Sequence, residues 1–473
     1  MTARRAALAA AAVLLLTGCT SFADTVAAPG RPPGGPAVAE AACPAERAEP
    51  DPDRPDIAVD FALAADGRSV TGTETVVFTP DRDVRELVFR LVPNGPDSAA
   101  SGSRLVVDDV RGEDVAGGRY ESAEAADPGG LFVVELAGAL GAGEPTEVEL
   151  DFSLTLGSGA FDRFGVVEEL SWWASGAPLL AWEPGVGWAR DPFVGLRGET
   201  AATPVADTVV RVSAPAELTV LMTGAVAEPS PPVDGVRTWT SREPVARDVA
   251  VAVGPFSTTE TTAPGGTRVT TGVLPGSDVP GEVLSDWTVA AIDELESLLG
   301  PFPFDTLSVA LLPDFGGGIE YPSMILEATP IREILVHEVA HQWFYGMVGN
   351  SQYRDPWLDE AFASWAEAVV DPGTGLVPEE ALTQPGPVGA AMDEFEDSDS
   401  YFGVVYNKGG AALLEAQQTA GDDAFVAAVR CYVDATAWQI ATPADVHRAL
   451  AHLPGAVDVL EDAQALDEDD GPR

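Results

Sequence analysis

Half of the histidines in this chain fall in one five-residue stretch. His337 and His341 bracket "HEVAH" inside "REILVHEVAHQWFYG", and only 4 histidines occur in all 473 residues. The apolar spacing predicts a helix over 330–346, and on a helix positions i and i+4 share a face, so both imidazoles can aim at one point. Zinc takes such nitrogens at about 2.0–2.1 Å, and a catalytic centre needs a third protein ligand plus an open position. Glu338 lies about 100° further round the helix. That places it beside the two nitrogens, where a general base can reach a water on the metal.

A third ligand has to come from another segment. "DPWLDEAFASWAE" follows a turn at Asp355-Pro356 and reads as a helix over 356–370. Glu360 lies 18 residues beyond His341 (342–359 intervene), enough for a helix end, a turn and an antiparallel return. Ser364 and Glu367 stand at +4 and +7 from it on the same helix, positions that more often serve surface or packing but from which they can orient the ligands.

The stretch "HEVAHQWFYGMVGNSQYRDPWLDEAFASWAE" resembles the zinc-binding core of the M1, or gluzincin, aminopeptidases. The resemblance implies one zinc ion per chain, held by His337, His341 and Glu360, with Glu338 as the base. Where the family usually has Asn and Gly around the ligand glutamate, this chain has Asp359 and Ala361. "PDFGGGIEYPSM" (313–324) resembles the family's Gly-x-Met-Glu-Asn strand, which implies that Glu320 grips the free α-amine of a substrate. Gly317 and Gly318 would let a peptide backbone come close, and the strand edge can pair with it. Tyr321-Pro322 in place of Asn is expected to reshape the pocket for the first side chain. "YFGVVYNKGGAALL" (401–414) resembles the Tyr-x-Lys-Gly segment, which makes Tyr406 the donor to the oxyanion, a role suited to a phenol that stays protonated near pH 7. Tyr401, five residues earlier, is expected to line the site. Lys408 is the only lysine in the chain, which suggests a place where a guanidinium does not fit. "LLAWEPGVGWARDPF" (179–193) loosely resembles the segment that supplies a second amine contact, a role that would fall to Glu183.

The architecture expected is multidomain. Period-two alternation, as in "TEVELDFSLTLG" with Val148, Leu150, Phe152, Leu154 and Leu156 on one face, argues an antiparallel β-sheet domain over 55–260. Helical patterns then dominate: 285–300 from a Ser285 N-cap, 330–346, 356–370, 407–419 and 423–437. They form a mainly helical thermolysin-like zinc peptidase domain over 261–458, followed by a frayed acidic tail, 459–473. The large helical C-terminal domain of many M1 enzymes has no counterpart here, which implies a more open cleft.

Charge is lopsided, 75 acidic against 26 basic residues for a formal net charge of −49, and this argues against nucleic acid as a partner. The N-terminus "MTARRAALAAAAVLLLTGC" has two arginines, a short apolar run and Leu-Thr-Gly-Cys. It reads as a signal peptide over 1–18 and resembles a bacterial lipobox, with Cys19 as the lipidated residue. A Pro/Ala/Gly-rich tether over 19–54 would hold the body outside the cytoplasm, on the membrane through that lipid. Cys43 and Cys431 can pair or remain free thiols. The reading is therefore a cell-surface zinc metallo-aminopeptidase acting on peptides with a free N-terminus. The alternatives are a thermolysin-like endopeptidase and a non-catalytic peptide-binding lipoprotein.

Overall fold

The alternating pattern becomes sheet as its period demands. In the strand Thr146–Thr155, Val148, Leu150, Phe152 and Leu154 are buried while Glu147 and Thr155 are exposed. The fold is taken from a computed structural model that describes residues 43, 46–161, 163–196, 198, 201–313, 315–373, 376 and 378–467. Cys19, the signal-peptide reading and most of the tether lie outside those residues.

A seven-stranded sheet takes the order Ala225–Val226, Val236–Ala246, Ala206–Pro215, Asp56–Leu63, Ser69–Phe78, Thr146–Thr155, Arg104–Arg111. It packs across an aliphatic and aromatic core onto the strands Val84–Arg90 and Leu131–Leu140. Pairing is antiparallel except between Asp56–Leu63 and Ala206–Pro215, which run parallel. A further four-stranded sheet, which includes Leu170–Ala174 and Ala250–Gly254, packs against the second half of the chain through Trp172, Ala252, Tyr321 and Leu326.

The second half opens on its own five-stranded sheet: Ser257–Thr262, Arg268–Val273, Thr306–Leu311, Met324–Glu327, Gly318–Tyr321. The first of these strands straddles residue 260, so its sheet partners belong to the half that follows. Helices cover this sheet. Gly281–Leu299 starts a turn earlier than the Ser285 cap suggested, and Ser285 is buried within it. Arg332–Ala340, Trp357–Val370, Gly409–Ala420 and Asp422–Thr436 then build one large core around Trp343, Trp357, Phe362 and Trp365.

Two expectations at the ends need correcting. The acidic tail does not begin at 459: Pro454–Asp462 is a helix, and Leu460, Ala463, Ala465 and Leu466 are buried. Its apolar residues are spaced to pack, and the intervening acids hide that spacing. Nor is the chain before residue 55 only tether. Cys43 forms a disulfide with Cys431, Arg47 pairs with Asp434 at 3.1 Å and donates to the carbonyl of Pro301, and the Ala48 amide donates to Asp434 O. No helix among the described residues is long and apolar enough to cross a membrane.

Candidate active site

The helix Arg332–Ala340 delivers His337 from its last turn, and His341 follows as its C-cap. The antiparallel return, Trp357–Val370, presents Glu360 in its first turn. The three ligand atoms meet: His337 Nε2 to Glu360 Oε2 is 3.3 Å, His341 Nε2 to the same oxygen 3.2 Å, and the two Nε2 atoms 3.0 Å apart. Donors on a tetrahedral zinc at about 2.0–2.1 Å would sit roughly 3.3 Å from one another. The spacing fits such an ion.

The remaining imidazole nitrogens are tied behind. His337 Nδ1 faces Glu367 Oε2 at 3.2 Å, and His341 Nδ1 faces the carbonyl of Phe344 at 3.1 Å. Each Nδ1–H therefore donates backward and leaves the Nε2 lone pair for a metal. Glu367 therefore takes the orienting role rather than the surface or packing role that its position also allowed. Ser364 does not: it packs under Gly410.

Electrostatics point the same way. Burial alone would depress both imidazoles, yet the surrounding carboxylates, Glu360 among them, hold both raised, His341 to about 9. Glu360 is held well below the usual carboxylate range by the two imidazoles, against the effect of its own burial. This pocket stabilises positive charge.

A cavity of about 420 Å³ opens over the three ligands. Glu338 and Glu320 both line it, and both are buried, 5% and 4% exposed. Glu338 Oε2 and Glu320 Oε1 are buried with no protein partner. Burial, with Glu320 adding to it, pushes the Glu338 carboxyl up to about 8. Gly317 and Gly318 line the same cavity. A Cβ on Gly318 would lie 2.6 Å from Glu338 Cγ, so glycine is what lets the strand lie against that carboxylate. Gly318–Tyr321 is the outermost strand of its sheet, hydrogen-bonded along one edge only.

Tyr406 lies on a π-helical segment, Phe402–Lys408. The i→i+5 bonding of such a turn sets residues five apart on nearly one face, and these turns recur at functional sites. Tyr406 OH donates to Glu360 Oε1 at 2.5 Å, and its ring stacks on His337 at 5.8 Å. Burial, then Glu360, push the phenol well above its ordinary range, so it stays protonated. Tyr401 does not line the cavity as expected: it is 1% exposed and packs behind Tyr406, rings 5.7 Å apart. Lys408 is buried, its ammonium donating to Gly386 O at 2.6 Å.

Glu183 is not brought to the cleft. It sits buried on the short strand Trp182–Glu183, pairs with Arg354 and lies outside the cavity wall. Arg354 also meets Asp191 at 3.4 Å, so this cluster ties the sheet domain to the loop between the two ligand helices. Three other residues of the site were not anticipated. Phe161 and Arg163 reach the cavity from the sheet domain. Glu327 is fully buried with one oxygen unpartnered, its carboxyl pushed well up by burial and by Glu338. None of them sits in a recognisable motif; only the charge in an apolar strand, "MILE", hints at Glu327.

Comparison with known proteins agrees with this geometry. Residues 296–465 match the family described as "Peptidase family M1 domain". Aminopeptidase M1-B of Oryza sativa subsp. japonica is 25% identical over 241 residues, 44% of this chain and 28% of that protein. Aminopeptidase N of Streptomyces lividans is 28% identical over 140 residues, 26% of this chain and 16% of its own. The chain thus spans under a third of these curated relatives. The crystal structure of an M1 zinc metallopeptidase from Deinococcus radiodurans superposes with TM-score 0.63 at 19% identity, over 87% of this chain and 92% of that one. A mutant of that enzyme bound to a Tyr-Ser-Ala substrate gives TM-score 0.64. The matched segment covers the whole ligand triad, which converges beneath a cleft that also holds Glu320 and Tyr406, so this part of the chain is similar in sequence and in site geometry to the M1 peptidase domain.

Proposed function

We propose that this protein is a zinc aminopeptidase, removing single residues from the free N-terminus of peptides. The observation that carries the reading is Glu320: a buried carboxylate with an unpartnered oxygen, facing the same cavity as the three metal-ligand side chains. A carboxylate fixed at that position holds an α-ammonium, and holding the chain end measures one residue to the scissile bond. His337, His341 and Glu360 would hold the zinc. When bound it supplies a Lewis acid for carbonyl and water, and its double charge draws neighbouring carboxylates back toward ionisation.

The chain's own groups do the rest. Glu338 accepts the proton of the attacking water and passes it to the leaving nitrogen, so the C–N bond breaks as the new C–O bond stands and the amine leaves neutral. The Tyr406 hydroxyl donates to the carbonyl oxygen as charge gathers there. The free edge of Gly318–Tyr321 pairs with the extended substrate backbone. The products are a free amino acid and a peptide one residue shorter.

The test is a panel of aminoacyl anilides and their N-acetyl counterparts, with and without chelator. Hydrolysis of the free amines alone, lost to chelator and restored by zinc, is expected. Equal cleavage of blocked and internal peptide bonds would make the protein an endopeptidase; bound metal without turnover would make it a binding protein. Membrane anchoring through Cys19 belongs to the same proposal. The Leu-Thr-Gly-Cys sequence supports it, as does the Cys43–Cys431 disulfide, a bond of oxidising compartments. Detergent partitioning that disappears in Cys19→Ala would be the expected result.

A further inference from the structure

Residue Tyr321 follows Glu320 on the edge strand, so its side chain points to the opposite face, away from the cleft. It does not shape the substrate pocket. Its phenol is 1% exposed and bonds Ser175 Oγ at 3.0 Å, in the sheet domain. Ser175 Oγ donates in turn to Asp248 Oδ2 at 2.5 Å, and the Val249 amide donates to Asp248 Oδ1 at 2.6 Å. Ser175 and Asp248 are themselves buried, and the Ser175 amide is fixed by a bond to Val249 O at 3.0 Å.

The backbone of Tyr321 is held from the other side. Gln342 Nε2 donates to Tyr321 O at 3.2 Å, and Gln342 Oε1 accepts from the Ser323 amide at 2.9 Å. Gln342 is fully buried and is the residue after the ligand His341. One residue is thus pinned at once to the sheet domain and to the metal-binding turn.

This strand needs external anchoring. It pairs on one edge only, Glu320 opposite Ile325, and it is entered through Gly316, Gly317 and Gly318, which offer no side chains to fix it. One oxygen of the carboxylate, Glu320 Oε1, has no protein partner. A site that measures one residue must nevertheless keep its amine-binding group within about 0.5 Å of its place relative to the reacting centre. We propose that Tyr321 is the positioning residue that sets the distance from Glu320 to the metal ligands, through the Ser175–Asp248 clamp on its phenol and the Gln342 clamp on its carbonyl. This rests on the aminopeptidase reading above, which it deepens.

The test uses metal-loaded protein and a matched pair of metal-binding probes, L-leucine hydroxamate and 4-methylpentanohydroxamate, which differ only in the α-amine. Calorimetry gives the ratio of their dissociation constants, a direct readout of the amine contact that needs no turnover. Wild type is expected to favour the amine-bearing probe by about 100-fold. Tyr321→Phe and Ser175→Ala should each cut that ratio about 10-fold, the double variant no further, and Asp248→Asn, which keeps an acceptor for Ser175, should retain it. If melting temperature falls in Tyr321→Phe and Ser175→Ala while the ratio stays at the wild-type value, Tyr321 is merely structural and the inference is overturned. If wild type shows no preference for the amine and no hydrolysis of leucine anilide, it is the aminopeptidase reading that fails.

Discussion

At the scale of single residues, Glu338 and Tyr406 are separable from the metal they serve. Glu338 is not among the three convergent ligands, so Glu338→Gln should keep its zinc, measured by atomic emission, while kcat falls by about 10²–10⁴. Loss of zinc along with activity would assign Glu338 to metal retention instead. Tyr406→Phe removes one donor and should lower kcat roughly 10²–10³-fold, with hydroxamate affinity little changed; unaltered kcat would remove the phenol from the chemistry. These residues were legible because their chemistry is local: His337, Glu338 and His341 lie on one helical turn, and Glu360 on its antiparallel return. Glu183 was misread because its place depends on Arg354, 171 positions away. The partners of Tyr321 were hidden for the same reason, since Ser175 stands 146 positions before it.

Among elements, the close approach of the return helix Trp357–Val370 and the helix Gly409–Ala420 decides whether Glu360 and Tyr406 can meet. Gly409 makes that approach possible: a Cβ there would lie 2.6 Å from Ala361 Cβ. The backbone of Gly409 is ordinary right-handed helix, φ −62°, so the demand is for space, not for conformational freedom. Gly409→Val should therefore destabilise by about 1–3 kcal/mol through overpacking. It should also weaken zinc binding, because Ala361 adjoins the ligand. Unchanged stability in urea together with unchanged zinc affinity would refute the packing argument. Period-two and 3.6-residue patterns mark the strands and helices well, with the start of Gly281–Leu299 shifted by about a turn, while the helix expected over 330–346 stops at Ala340, six residues early, where His341 caps it and the chain turns. The π-turn at Phe402–Lys408 carries no pattern of its own, and only the metal side shows why it is there.

For the molecule as a whole, stability should depend on pH in a direction set by buried acids. Burial raises the carboxyls of Asp248 and Glu243 to about 7, against about 4 in an unfolded chain. Between those values the folded state holds protons the unfolded state has released, so stability falls as pH rises from about 4 to about 7, and that part is constant above. Asp248→Asn lacks this contribution and should lose less stability than wild type between pH 5 and pH 8 in thermal melts; parallel profiles would contradict it. The Cys43–Cys431 bond joins positions 388 apart, and Cys431→Ser should cost about 2–5 kcal/mol, read as a shift of the urea midpoint. The same bond has a topological result. It makes nearly the entire folded body a single closed ring, so one protease nick anywhere between those two sulfurs leaves no separable fragment. A nicked sample would run as one species on a denaturing gel and fall into two only after a thiol is added.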